Sequence, residues 1–282
     1  MLNRFWRHAV LALLALLGLA PLVLVLNNSF RTTAAIYSHP FAPFFSGQKG
    51  EGLLAGLGAA GLNYPRAFHE LAPYLINTVW VCGVSSVATV VISVLLAFVF
   101  RMGTFPGKRW LEVPFRLALL VPGALLIIPT YLVVKQLGLL NSYAGLILPY
   151  TVGGLIFGFF ILSGAMATFP RELVEAAQMD GAGPWFCLWQ VLRPHLVPTC
   201  TVLGLMTFLG SWNNFLWPYL VNSDPSLHVI SSGLFFLNDT DTAGDLGLLY
   251  AAYVLSILPL AVLFFLGTKY FVQGLSAGAV KE

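Results

Sequence analysis

Six long apolar runs without a charged residue dominate this sequence, at about 9–26, 74–100, 117–134, 144–168, 196–220 and 246–268. Runs of this length match the roughly 17 to 25 residues that an α-helix needs to cross a bilayer. They lack the two-residue alternation of barrel strands, and lipid offers no partner for unpaired backbone groups. We therefore predict an all-α membrane protein with six transmembrane helices in one domain, 1–282.

The charged residues set the class of protein and its predicted orientation. All 14 basic and 11 acidic residues lie between the runs, and at 9% of the chain they are too few to cover a soluble domain. The weak net charge of +3 argues against nucleic-acid binding. With the N-terminus inside, only Arg31, Lys49, Arg66 and Lys135 lie outside, so the positive-inside rule predicts that both termini are cytoplasmic.

The first run follows Arg4 and Arg7, as in a secretory signal peptide. Its apolar core is long for a signal peptide, and no small-x-small cleavage site comes directly after Leu26. We interpret it as an uncleaved signal-anchor, with a cleaved signal peptide as the alternative.

The loop at 169–195 is the most patterned segment between the runs. Pro170 suits the first turn of a helix, and Gly181 is placed to stop that helix. Pro184 then suits the start of a second helix, and Pro194 is expected to end it. The pattern predicts two short helices joined at a sharp angle.

The first of these helices has an unusual face. Leu173, Ala176 and Ala177 share i, i+3, i+4 spacing, and Glu172 and Glu175 lie near the N-terminus, where the helix dipole favours negative charge. Interfacial helices usually carry lysine, arginine and bulky apolar residues instead. Docking on another protein is thus favoured over the alternative, a helix that rests at the lipid surface.

The loop carries Glu175-Ala176-Ala177, then Gly181 after three residues and Val191-Leu192-Arg193-Pro194 after nine more. This spacing resembles the EAA motif of the membrane subunits of binding-protein-dependent ABC importers. The departures are Val191 in place of isoleucine and Arg193 in place of leucine, and neither removes the helix-turn-helix pattern. Segments such as Asn77-Thr78 and Trp212–Pro218 resemble the carbohydrate branch, and the whole chain resembles the smaller six-helix permease of a maltose-type sugar importer.

The resemblance implies a type I ABC importer permease with a cytoplasmic coupling helix, in a bacterial or archaeal cytoplasmic membrane. Such a subunit is not an enzyme, and it holds no cofactor because partner ATPases bind ATP and Mg. Its implied partners are a second permease in a heterodimer, two ATPase subunits and an extracytoplasmic sugar-binding protein. The implied cargo is a mono- or oligosaccharide or a related polyol, with glycerol phosphate as an alternative cargo.

Three groups of residues receive roles. By resemblance, the ATPase-coupling residues are Glu175, Ala176, Ala177, Asp180, Gly181 and Pro194, and a binding-protein contact falls on Asn222, Ser223 and Asp224. Aromatic rings stack on sugars and amides bind hydroxyls, so Trp212, Asn213, Asn214 and Phe215 can line a translocation pathway. An interfacial aromatic belt is the alternative for this last group.

Two other functions fit the sequence less well. A proton- or ion-driven transporter needs an ionisable group inside the membrane, and the six runs contain none. A membrane enzyme needs a nucleophile, paired acids or a metal site, and the five histidines and three cysteines have no metal-ligand spacing. No P-loop is present, so the energy is expected to come from a partner. Gly154 and Gly158 form a G-x-x-x-G pair that predicts close helix packing.

Overall fold

The computed structural model describes residues 2–44, 53–239 and 244–279, and all regular structure in these ranges is helical. This confirms the predicted all-α class. Short 3₁₀ turns lie at Gly123–Leu126 and Pro225–Leu227, and a π-helix lies at Cys187–Leu192. The α-helices are α1 (Leu2–Ser29), α2 (Thr33–Ser38), α3 (Leu53–Met102), α4 (Lys108–Ala118), α5 (Ile127–Gln136), α6 (Tyr143–Ala167), α7 (Arg171–Met179), α8 (Pro184–Phe186), α9 (Arg193–Trp212), α10 (Leu216–Val221), α11 (Ile230–Asp239) and α12 (Leu246–Ala279).

The chain forms two compact units. The first consists of Met1–Leu75 with Ser232–Ala261, and the second of Ile76–Ser231 with Val262–Glu282. All of the candidate site residues lie in the second unit.

Five stretches in the described ranges are long and apolar enough to cross a membrane. They are Trp6–Ser29, Gly56–Met102, Tyr143–Ala167, Pro184–Trp212 and Leu246–Phe265. A bent pair, formed by α4 and the segment Gly123–Gln136, passes the same test only when its two parts are taken together. The described ranges thus hold five candidate spans, or six when the bent pair is counted as one, against the six that the sequence predicts.

The run at 117–134 is not the continuous helix that we predicted. α4 ends at Ala118, and the chain turns by 100° before Gly123–Gln136. Pro122 adopts an extended ψ of 128°, and it has no N–H with which to continue the hydrogen bonds of α4. Apolar length alone carries no signal for such a turn.

Two other runs differ from the predicted helices. The run at 196–220 divides into α9, which ends at Trp212, and α10, which begins at Leu216, and between them Asn214 Oδ1 accepts the Trp217 N–H at 3.2 Å. The run at 74–100 is only part of α3, which begins at Leu53 and has 50 residues. Segment 47–61 has the glycine-rich composition of a flexible connection, yet it is helical from Leu53 onward, whereas 45–52 lies outside the described residues.

The G-x-x-x-G pair of α6 faces two other helices of the second unit. A Cβ at Gly154 would lie 2.7 Å from Cγ2 of Thr89 on α3. A Cβ at Gly158 would lie 2.9 Å from both Cβ of Ser93 on α3 and Cδ2 of Leu203 on α9. Both glycines are needed for this approach, as the sequence predicts.

A buried apolar cluster joins the loop at 169–195 to the ends of the long helices. It combines residues of α3, α6, α7, the π-helix and α9, so these elements share one core. Its buried members are Ala97, Phe100, Phe159, Leu162, Met166, Val174, Cys187, Leu188, Leu192, Leu196 and Leu203.

Candidate coupling and outer sites

Backbone geometry fixes where α7 ends. The Gly181 N–H donates to the Gln178 carbonyl at 2.9 Å, and the Ala182 N–H donates to the Ala177 carbonyl at 2.9 Å. These paired bonds form a Schellman motif after Asp180, the C-cap residue. Gly181 has a φ of +84°, a left-handed conformation that costs a residue with a side chain roughly 1–2 kcal/mol.

α7 has one face on the core and one face exposed. Val174 is 4% exposed and Ala177 packs against the same cluster, so these two residues hold the helix to the core. Glu175, Ala176 and Met179 are exposed, Met179 at 88%. Sequence reasoning placed Ala176 and Ala177 together on a docking face, whereas the structure turns Ala177 inward.

The sequence predicts that the second helix of the loop ends at Pro194, and this prediction is wrong. The helix begins at Pro184, continues through the π-helix Cys187–Leu192 and runs into α9 as far as Trp212. Pro194, which has no N–H to donate, lies just after the π-helix, so the missing backbone donor coincides with the change of helix type. The loop is thereby continuous with a long apolar helix.

His195 joins the start of α9 to the end of α6. Its Nε2 lies 3.0 Å from the Ala165 carbonyl and 3.3 Å from Oγ1 of Thr168. The rings of His195 and Phe169 lie 5.3 Å apart. These contacts join the chain just before α7 to the end of α6 and the start of α9.

The four candidate pathway residues have different surroundings. Trp212 is 4% exposed and stacks on Phe208 at 5.6 Å, and Asn214 Oδ1 accepts the Trp217 N–H. Asn213 is exposed, and its Nδ2 donates to the Leu209 carbonyl at 2.9 Å. Phe215 is 37% exposed. Asn213 and Phe215 are therefore the two that present accessible groups.

The segment that follows α10 is ordered by a residue that sequence reasoning missed. Asn141 Oδ1 accepts hydrogen bonds from the Ser223 N–H at 2.7 Å, Ser223 Oγ at 3.2 Å and the Asp224 N–H at 3.2 Å. Asn141 has a φ of +53°, which asparagine tolerates better than most residues. Its position between two apolar runs was the available signal. Asn222 is 1% exposed, so Ser223 and Asp224 form the accessible part of the predicted contact.

Asn77 and Thr78 of α3 hold the other end of this segment. Asn77 Nδ2 donates to the carbonyls of Ser226 at 2.8 Å and His228 at 3.0 Å, and its Oδ1 accepts from Tyr143 Oη at 2.7 Å. Thr78 Oγ1 accepts the Ile230 N–H at 2.7 Å. Segment 222–230 is therefore pinned to α3 and to the start of α6.

Two titratable groups of segment 222–230 have pKa values that differ from their ordinary values. The hydroxyl and backbone N–H of Ser226 donate to the Asp224 carboxylate and lower its pKa. Burial lowers the pKa of His228, against smaller opposing effects of a backbone hydrogen bond with Asn222 and the charge of Asp224. Both shifts favour a charged aspartate beside a neutral histidine.

The fold and the loop at 169–195 together define a class of protein: an all-helical membrane subunit with a short exposed helix locked to its long helices. The family of binding-protein-dependent transport system inner membrane components matches residues 52–277, and this chain belongs to that family. It is thus a transport permease subunit of the inner membrane.

Three curated relatives each match at least 73% of this chain and at least 73% of their own length. The diacetylchitobiose uptake system permease protein NgcG of Streptomyces coelicolor is 29% identical over 97% of this chain and 88% of its own. The sulfoquinovosyl glycerol transport system permease protein SmoH of Agrobacterium fabrum is 30% identical over 98% and 93%. The sn-glycerol-3-phosphate transport system permease protein UgpE of Rhizobium meliloti is 33% identical over 73% of each chain.

A solved structure supports the fold. A chain of a bacterial ABC transporter involved in the import of the acidic polysaccharide alginate matches 96% of this chain and 96% of its own length. The TM-score is 0.78 at 19% sequence identity. This likeness confirms the ABC importer permease architecture.

Proposed function

We propose that this permease moves a carbohydrate, or a polyol or glycerol phosphate related to one, which an extracytoplasmic binding protein delivers. Support comes from the names of the relatives, whose cargoes are diacetylchitobiose, sulfoquinovosyl glycerol and sn-glycerol-3-phosphate. All three compounds are rich in hydroxyl groups. Co-purification of the importer with its binding protein, followed by mass spectrometry of the retained small molecule, tests the proposal. A retained peptide or amino acid would contradict it.

The coupling function rests on one observation: α7 exposes a face with carboxylates and a small residue, while Val174 and Ala177 lock the helix to the core. In our proposal, the face formed by Glu172, Glu175, Ala176 and Met179 docks on a partner ATPase. Ala176 permits close approach, and Gly181 lets the chain turn back. Movement of the ATPase then reaches α6 and α9 as a rigid-body displacement rather than through a compliant tether.

A bulky side chain at the centre of this face tests the docking. Ala176→Trp should abolish co-purification of the ATPase and uptake, since the indole holds the two surfaces apart. Gln178→Trp is the matched control, because Gln178 is also exposed but lies on the flank of α7. Equal ATPase retention by both variants would contradict the proposed face.

The remaining assignments complete the assembly. In our proposal, a second permease forms a heterodimer with this chain, and two partner ATPases bind ATP and Mg. Both termini and α7 lie in the cytoplasm, and Ser223 and Asp224 contact the binding protein. Labelling of single cysteines in intact cells tests the orientation: Ser223→Cys should react with a membrane-impermeant maleimide, and Ala176→Cys should not.

A further inference from the structure

α4 meets the segment Gly123–Gln136 at a bend of 100°. A bend close to a right angle lets α4 lie along the membrane surface while the segment that follows enters the bilayer. Phe115 fixes it there, with its ring 5.0 Å from that of Phe159 on α6 and 6.2 Å from that of Phe100 on α3.

The face of α4 that points away from Phe115 is apolar and uncovered. Trp110, Val113 and Leu117 have i, i+3, i+7 spacing and are 81%, 43% and 58% exposed. Tryptophan is enriched at the boundary between lipid and water, where its ring is partly buried in the bilayer. This face fits the acyl side of a membrane interface.

Basic groups flank that apolar face. Arg109 and Arg116 are exposed and seven residues apart, on one side of the helix, and Arg116 lies 2.8 Å from Glu112. A groove of about 420 Å³ at the start of α4 is lined by Lys108, Arg109 and Trp110 among others. Cations beside an apolar face are complementary to a phosphate headgroup above its acyl chains.

We propose that α4 is a membrane-surface helix: Trp110, Val113 and Leu117 enter the bilayer interface, and Arg109 and Arg116 bind the headgroups of anionic phospholipids. The same helix packs through Phe115 on the cluster that holds α7. Anionic lipid thereby steadies the base of the coupling helix.

Membrane depth of single spin labels tests the position of α4. The intact importer, with Cys82, Cys187 and Cys200 replaced, is reconstituted in vesicles of phosphatidylcholine and phosphatidylglycerol. Labels at 110, 113 and 117 should be accessible to oxygen and shielded from a nickel chelate, with the reverse at 109 and 116. Access of the chelate to all five positions would overturn the proposal, as would shielding of the apolar three from both reagents, which would show that protein covers the face.

A charge variant tests the headgroup contact. Arg109→Gln should lower the affinity of the importer for phosphatidylglycerol about fivefold, measured as lipid retained on the purified complex in native mass spectrometry. Lys135→Gln, which removes an exposed cation from the other end of the bent pair, should leave retention unchanged. Equal retention by the two variants would overturn the headgroup contact.

Discussion

Replacement of Gly158 by alanine tests the packing of the second unit most sharply. The added Cβ would lie 2.9 Å from Cβ of Ser93 and from Cδ2 of Leu203, with Ser93 Oγ closer still. Ordinary contact begins near 3.4 Å, so α3 or α9 must retreat from α6 by about half an ångström. Overpacking of this kind costs typically about 1–3 kcal/mol.

Gly153→Ala on the same helix is the matched control, because nothing lies within 4 Å of a Cβ there. Both substitutions gain the helix propensity of alanine, about 1 kcal/mol, so the difference between the variants isolates the packing cost. At roughly 2–4 °C per kcal/mol, Gly158→Ala should unfold at least about 2 °C below Gly153→Ala in thermal melts of the purified importer. Adding Ser93→Ala, which removes the nearest atom, should recover part of the loss.

Equal melting temperatures for Gly153→Ala and Gly158→Ala would refute this reasoning. So would a Ser93→Ala substitution that lowers the stability of Gly158→Ala further. Either result would mean that the close approach of α6 to α3 does not limit stability.

Three further predictions concern the two sites. Gly181→Ala should slow uptake, because a φ of +84° costs alanine about 1 kcal/mol or more. Gly183→Ala, at a φ of −73°, should transport normally. Equal uptake rates in the two variants would contradict the need for a left-handed residue at position 181. Asn141→Ala should speed hydrogen exchange of segment 222–227 at least tenfold, while Asn141→Asp, which keeps the acceptor oxygen, should change it little; similar exchange in both would contradict the role of Oδ1. Burial lowers the pKa of His228, so the folded segment 222–230 favours the neutral imidazole. Hydrogen exchange of this segment, corrected for the intrinsic rate, should therefore quicken as the pH falls below about 6.5. His228→Gln should remove this pH dependence, and its persistence in that variant would assign the effect to another group.

The long apolar runs could be predicted from the sequence because lipid excludes charged groups from a membrane-spanning segment. The breaks within these runs could not be predicted from the sequence. Pro122 turns the third run by 100°, while Pro149 lies inside α6, a continuous helix. The difference depends on whether the neighbouring structure supplies partners for freed backbone groups, and no residue type encodes that.

The candidate sites were predictable to a different degree. The spacing from Glu175 to Gly181 located α7 and its left-handed end, since only a turn-permitting residue fits there. It did not assign the faces, because Ala176 and Ala177 are chemically identical and the core decides which one turns inward. Asn141 was missed because its three acceptor contacts join positions 82 and 83 residues apart in sequence.

ATP-dependent uptake in proteoliposomes tests most directly whether this permease takes its energy from a partner ATPase. The importer is reconstituted with ATP and Mg inside, binding protein and labelled cargo outside, and ionophores that collapse proton and sodium gradients. Our account predicts that uptake persists with ionophores and stops when ATP is withheld. Uptake that ignores ATP and disappears with the ion gradients would contradict it.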